Sequence, residues 1–147
     1  MSEKNVIIFE DAAAGNFNPL ALTRPVFELI CGMTSLRENI AKRFYPGANI
    51  GFVCRNYLKD VFQQKVNAKI NDLNGIESAL FVNGRTLAAF SELPSPDGEG
   101  EIGIQDGVVI YARVKAGGIA SLSNSISDNP EDFINKLISL NLSEKKI

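Results

Sequence analysis

Val6-Ile7-Ile8-Phe9 is an unbroken apolar run bounded by polar residues, the pattern of a strand buried on both faces of a parallel sheet. Farther on, Leu36, Ile40 and Phe44 share one helical face. Thr34 or Ser35 caps that helix, Glu38 completes a capping box with Ser35, and Tyr45-Pro46-Gly47 ends it. Ile50–Cys54 reads as a second strand, and Asn56 as the cap of a helix with an apolar face of Leu58, Val61, Phe62 and Val66. Ala68–Ile70 fits a short strand, and Ser78–Val82, with its apolar centre Leu80–Val82, a third long one. This alternation predicts an α/β fold: three layers around a mostly parallel, Rossmann-like sheet. Glu101–Ile104 and Val108–Val114 flank the turn dipeptide Asp106-Gly107 and predict an antiparallel pair at the sheet's edge. Lys115 to Ser127, rich in Gly, Ser and Ala, reads as irregular. Asn129 then caps a helix with Pro130 at its first position and Phe133, Ile134, Leu137 and Ile138 on its packed face. Ser143 to Ile147 is expected to fray. The whole is one domain, 1–147, closing on a helix and tail over 128–147.

The stretch from Asp11 to Glu38 interrupts this regular pattern. It holds a small-residue cluster, two prolines, a Thr-Arg-Pro and a glycine between the first strand and the first helix. Loops of this length within a domain are functional or disordered. Phe17, Leu20, Leu22, Val26, Phe27, Leu29 and Ile30 make it too apolar to stay solvated, so an ordered loop shaped for a ligand is expected. Glu10 and Asp11 follow the first strand, and ligands of open α/β sheets sit at the carboxyl ends of strands. For Asp11 two readings stand: chemistry at that end, or a cap on the turn into the loop. For Arg37, in the first helical turn where a cation meets the helix dipole unfavourably, they are anion binding or plain solvation.

The order of residues resembles the sugar-phosphate nucleotidyltransferases. Ala13-Ala14-Gly15, Phe17-Asn18-Pro19-Leu20, Thr23-Arg24-Pro25 and Gly32-Met33-Thr34-Ser35-Leu36 follow that family's N-terminal motifs. Leu22 to Leu29, Leu-Thr-Arg-Pro-Val-Phe-Glu-Leu, is the most specific piece. It is most similar to the bacterial subgroup with a left-handed β-helix domain behind the catalytic one. The resemblance covers about Asn5 to Lys115 and is densest up to Asn39. Two positions depart: Asn16 stands where the family's catalytic arginine falls, and Val26 where its lysine does.

What the resemblance implies is a domain that binds a nucleoside triphosphate or sugar phosphate, the nucleotide-binding half of a longer enzyme. Such chemistry needs phosphates positioned, Mg²⁺ held and the charge of departing pyrophosphate stabilised. Gly15 then permits close backbone approach beside Asn16. Arg24, pinned before proline, is the candidate catalytic clamp, its planar fork pairing two phosphate oxygens. A buried pairing of Arg24 with Glu28 is the competing role. Asn83 and Arg85, ending the third strand, are further phosphate candidates, though Asn83-Gly84 is also a tight-turn dipeptide. Asp11 is left as the metal ligand, since the family's second aspartate is replaced here by Asn83. A non-catalytic binding or assembly module derived from the same fold is the alternative. In either case an uncovered sheet edge would favour a second copy or a missing C-terminal domain.

Composition narrows the chemistry further. The 147 residues carry a net charge of −2 with no basic stripe, which gives no electrostatic case for nucleic acid. Histidine is absent, removing histidine triads and general bases. The N-terminal apolar run is too short for a signal peptide or membrane span, and a cytoplasmic protein with Cys31 and Cys54 as reduced thiols is expected.

Overall fold

The computed structural model describes residues 4–18, 20–31, 33–85 and 93–147, with the side chains of 14, 15, 17, 20 and 31 also set aside. Pro19 and Gly32 of the family-like motifs, and the side chain of Cys31, therefore lie outside the description. Strand β1 (Asn5–Phe9) runs through the middle of the parallel part of the sheet, as its apolar run requires: Val6 and Ile8 enter one core, Ile7 and Phe9 the other. It is followed by a short hairpin of β2 (Ile30–Cys31) and β3 (Thr34–Ser35), then helix α1 (Leu36–Phe44) and β4 (Asn49–Val53). Helix α2 (Lys59–Gln63) leads to β5 (Ser78–Asn83). The hairpin β6 (Glu101–Gln105) and β7 (Val108–Lys115), helices α3 (Ala116–Ser123) and α4 (Pro130–Ile138), and β8 (Ser143–Lys146) complete the chain.

The six-stranded sheet has the order β4-β1-β5-β7-β6-β8. Strands β4 and β5 both pair parallel with β1, while β7 pairs antiparallel with β5 and with β6. Helices α1 and α2, with Leu58 of the 3-10 turn before α2, cover one face through Leu36, Ile40, Leu58 and Phe62. Helices α3 and α4 cover the other through Ile119, Leu122, Phe133 and Leu137. These are the three layers expected from the alternation of runs and amphipathic helices.

Local chemistry fixed several boundaries. Ser35 caps α1, accepting from the Glu38 amide at 3.3 Å and donating to its carboxylate at 3.2 Å. Asn129 accepts from the Glu131 amide at 3.1 Å with Pro130 opening α4. Asp106 and Gly107 both have positive φ, 50° and 79°, as a two-residue turn of this twist requires.

Several expectations need correction. Within the Lys115–Ser127 segment, Ala116–Ser123 is helical because Ile119 and Leu122 bury against the sheet. Gly118 lets the helix approach, since a Cβ there would lie 2.6 Å from a Val114 methyl. Packing outweighs the poor helix propensity of two glycines. Ser143–Lys146 does not fray but pairs parallel with β6, although all four residues are exposed. The β6–β7 pair is therefore interior to the sheet. Asn56 opens a 3-10 turn without capping it, its side chain accepting from Asn71, and Val61 is exposed while Val66 lies beyond α2. On α4, Ile138 faces solvent. Ala68–Ile70 contributes a single parallel bridge, Ile70 to Phe52, on the outer side of β4.

Candidate functional site

After β1 the chain goes to β4 on one side. After β4 it lays Ile70 along the outer edge, passes under the opposite face through Leu73 and Ile76, and emerges as β5 on the other side of β1. The switch point of the parallel sheet thus falls between the carboxyl ends of β1 and β5, where open α/β sheets hold ligands. Asp11 stands at one end and Asn83-Gly84-Arg85 at the other.

These residues form one network. Arg85 grips Asp11 side-on, Nε to Oδ1 at 2.8 Å and Nη2 to Oδ2 at 2.6 Å. Asn83 donates from Nδ2 to Asp11 Oδ2 at 2.8 Å and to the Val109 carbonyl at 3.0 Å, and its Oδ1 accepts from the Arg85 amide at 2.9 Å. The Ala13 amide donates to Asp11 Oδ1 at 3.1 Å, so the capping reading of Asp11 holds alongside its pairing. Burial opposes the charge on Asp11, but Arg85, Asn83 and the Ala13 amide outweigh it and hold its pKa below the usual carboxylate value.

This donor set does not fit a resident Mg²⁺. Both Asp11 oxygens already accept two hydrogen bonds, a guanidinium lies against them, and Asn83 turns its nitrogen to Asp11. Mg²⁺ wants an octahedral shell of oxygens, and no group of three acidic, Cys or His residues that could hold a metal occurs among the described residues.

The described residues of the long loop pack against the domain, although Leu22 and Ile30, expected to be buried, face solvent. The loop is built from 3-10 turns at Ala12–Phe17, Leu20–Leu22 and Val26–Glu28, with Ala21, Val26 and Phe27 buried. Gly15 and the exposed Asn16 lie in the first turn, directly after Asp11. Most of what holds the rest of the loop comes from the end of β4. Glu10, 1% exposed, and Arg55, 8% exposed, form a buried ion pair: Arg55 Nε to Oε1 at 3.2 Å and Nη2 to Oε2 at 3.0 Å. The Glu10 carboxylate also accepts from the Val26 and Arg55 amides, both at 2.9 Å. Arg55 Nη2 further donates to the Ala21 and Arg24 carbonyls at 2.6 and 3.4 Å, and Tyr57 Oη donates to the Leu22 carbonyl at 3.2 Å. Sequence reading missed Arg55. An acid ending one strand and an arginine ending the next were its available signal.

Held this way, the loop leaves the Arg24 side chain exposed, with no ion pair or side-chain hydrogen bond among the described residues. The competing pairing of Arg24 with Glu28 does not form, because Glu28 takes Arg37 instead. Arg37 also stacks over the Phe62 ring at 5.8 Å, so it is a structural cation rather than a loose anion ligand. Val26, at the family's lysine position, is part of the core.

Gly84 joins the loop to the switch point. Gly84 and Arg85 form a turn, as Asn83-Gly84 predicts, but the φ of Gly84 is not positive, so conformational freedom does not explain the glycine. What does is space: a Cβ at Gly84 would meet Phe27 Cβ and Cδ2 at 2.8 Å and the Phe9 carbonyl at 3.1 Å. Gly84→Ala should therefore displace the Phe27 segment and cost about 1–3 kcal/mol, the usual range for overpacking. Urea denaturation checks it, and a loss below about 0.5 kcal/mol would show that the loop yields freely.

Cys54 is a buried free thiol whose pKa burial pushes up to about 12, as expected of an inert core cysteine. No helix among the described residues is long and apolar enough to cross a membrane.

No match was found among curated protein sequences. Among solved structures the chain is similar to molybdopterin-guanine dinucleotide biosynthesis protein A from Archaeoglobus fulgidus, with TM-score 0.57 and 12% identity over 96% of this chain and 83% of that one. It is also similar to a glucose-1-phosphate thymidylyltransferase from Bacillus anthracis, with TM-score 0.55 and 10% identity over 99% of this chain and 87% of that one. Both share the α/β fold with its mixed, mostly parallel sheet. Residues 6–143 match the sugar nucleotidyl transferase family model, and the chain belongs to that family.

Proposed function

We propose that this chain binds the phosphates of a nucleoside triphosphate or sugar phosphate at the carboxyl ends of β1 and β5, with Arg24 as the clamp. The observation that carries the reading is Arg24 itself: a cation with a solvent-facing side chain, on a loop whose carbonyls are fixed from beneath by Arg55 and Tyr57. A fixed backbone lowers the ordering cost of binding. In the intact enzyme the reaction is transfer of a nucleotidyl group to a sugar 1-phosphate. We place that parent in the cytoplasmic subgroup with a C-terminal left-handed β-helix, on the Leu22 to Leu29 motif. Mg²⁺ enters with the triphosphate, as part of the substrate.

A second reading has its own support. With Val26 in the core and Asn16 in the first turn, the loop presents neither of the family's other two cations, which favours binding without turnover. Arg24→Ala should weaken nucleoside triphosphate binding by about 1.5–3 kcal/mol and leave the thermal midpoint nearly unchanged. Isothermal titration of both forms with several magnesium nucleoside triphosphates, beside a thermal melt, tests it. Wild type that binds none of them at millimolar concentration would refute the reading.

A further inference from the structure

At the switch point a guanidinium lies where a metal-binding carboxylate would need a divalent cation. Arg85 spends its Nε and Nη2 on Asp11, a side-on grip that leaves the end-on edge, Nη1 with the outer hydrogen of Nη2, unspent. Nη1 has no partner among the described residues. Arg85 lines a cleft of about 240 Å³ with Asn83, Gln105, Asp106, Val108 and Ile110. An end-on guanidinium edge matches two oxygens of a phosphate, and a side chain already immobilised by a carboxylate loses little freedom on binding one. Gln105, on the same wall, can add an amide donor.

We infer that Arg85, locked by Asp11, is a built-in cation whose outer edge takes an oxyanion without a protein-bound divalent metal. This rests on the reading that the strand ends face phosphate, but it assigns a different arginine and removes the metal from Asp11. Its test uses the full chain and two probes. Titration with inorganic phosphate in EDTA should show binding that Arg85→Gln weakens tenfold or more. Electron paramagnetic resonance of Mn²⁺, with no nucleotide present, should show no bound ion in wild type at millimolar concentration. Freeing the carboxylate in Arg85→Gln should raise Mn²⁺ affinity at least tenfold. Circular dichroism confirms that the variant is folded, and Arg85→Lys, which keeps charge without the fork, serves if it is not. Phosphate binding lost with Arg24 but not Arg85 would overturn this inference and leave the clamp standing. Micromolar Mn²⁺ binding by wild type, abolished in Asp11→Asn, would overturn it equally.

Discussion

Arg55→Met should be among the most destabilising single substitutions in the chain, costing about 3–5 kcal/mol. The magnitude is that of stripping one partner from a buried ion pair and leaving the other uncompensated. Glu10 would remain 1% exposed with a full charge, holding only the Val26 and Arg55 amides. The Ala21 and Arg24 carbonyls would lose their donor in the same step. Against a total stability of roughly 5–15 kcal/mol, that loss is large. For a domain of this size it should lower the thermal midpoint by on the order of 10 °C. The double variant Glu10→Gln with Arg55→Met separates charge from packing: removing both charges should restore part of the loss. Denaturant unfolding that shows less than about 1 kcal/mol for Arg55→Met would mean that water reaches the pair and that the loop is held by its apolar residues instead.

Phe27→Ala is expected to cost a similar amount, about 3–5 kcal/mol, by a different route. Phe27 is the loop's deepest anchor. Its ring stacks on Phe52 at 5.2 Å and meets Phe62 edge-on at 5.4 Å, inside the core beneath α1 and α2. Truncation leaves a cavity bounded by Gly84, which has no side chain to fill it. Phe81→Ala in the opposite core is the control, equal in chemistry but not in contact with the loop. Both variants should lose stability. Only Phe27→Ala should also speed hydrogen exchange at the Val26 amide beyond what its global loss predicts, because that amide's bond to Glu10 depends on the loop staying seated. Equal exchange in the two variants would show that the ion pair alone holds the loop down.

The two predictions act on one object, a loop without long regular structure that is nonetheless fixed. Its packing was expected from its apolar content, and Val26 and Phe27 carry that burial, while Leu22 and Ile30 of the same stretch face solvent. The means of ordering was not legible in the sequence. Glu10 and Arg55 are 45 residues apart, and nothing in local pattern says that two adjacent parallel strands will deliver them to one buried point. Arg24 and Arg37 illustrate the same limit. Both lie near Glu28, and only the geometry of the β2–β3 hairpin and α1 decides that Arg37 takes the carboxylate and Arg24 faces solvent.

By itself the sequence determined the layers, the parallel centre, the Asp106-Gly107 hairpin and the caps of α1 and α4, because each rests on periodicity or on hydrogen bonds within a few residues. The tertiary structure decided the rest. Strand β8 carries no apolar alternation and exists because the backbone of β6 offers it an edge. Helix α3 forms because a sheet lies beneath it. Asp11 became the partner of Arg85 rather than an open ligand because β1 and β5 end side by side, bringing together charges separated by 74 residues.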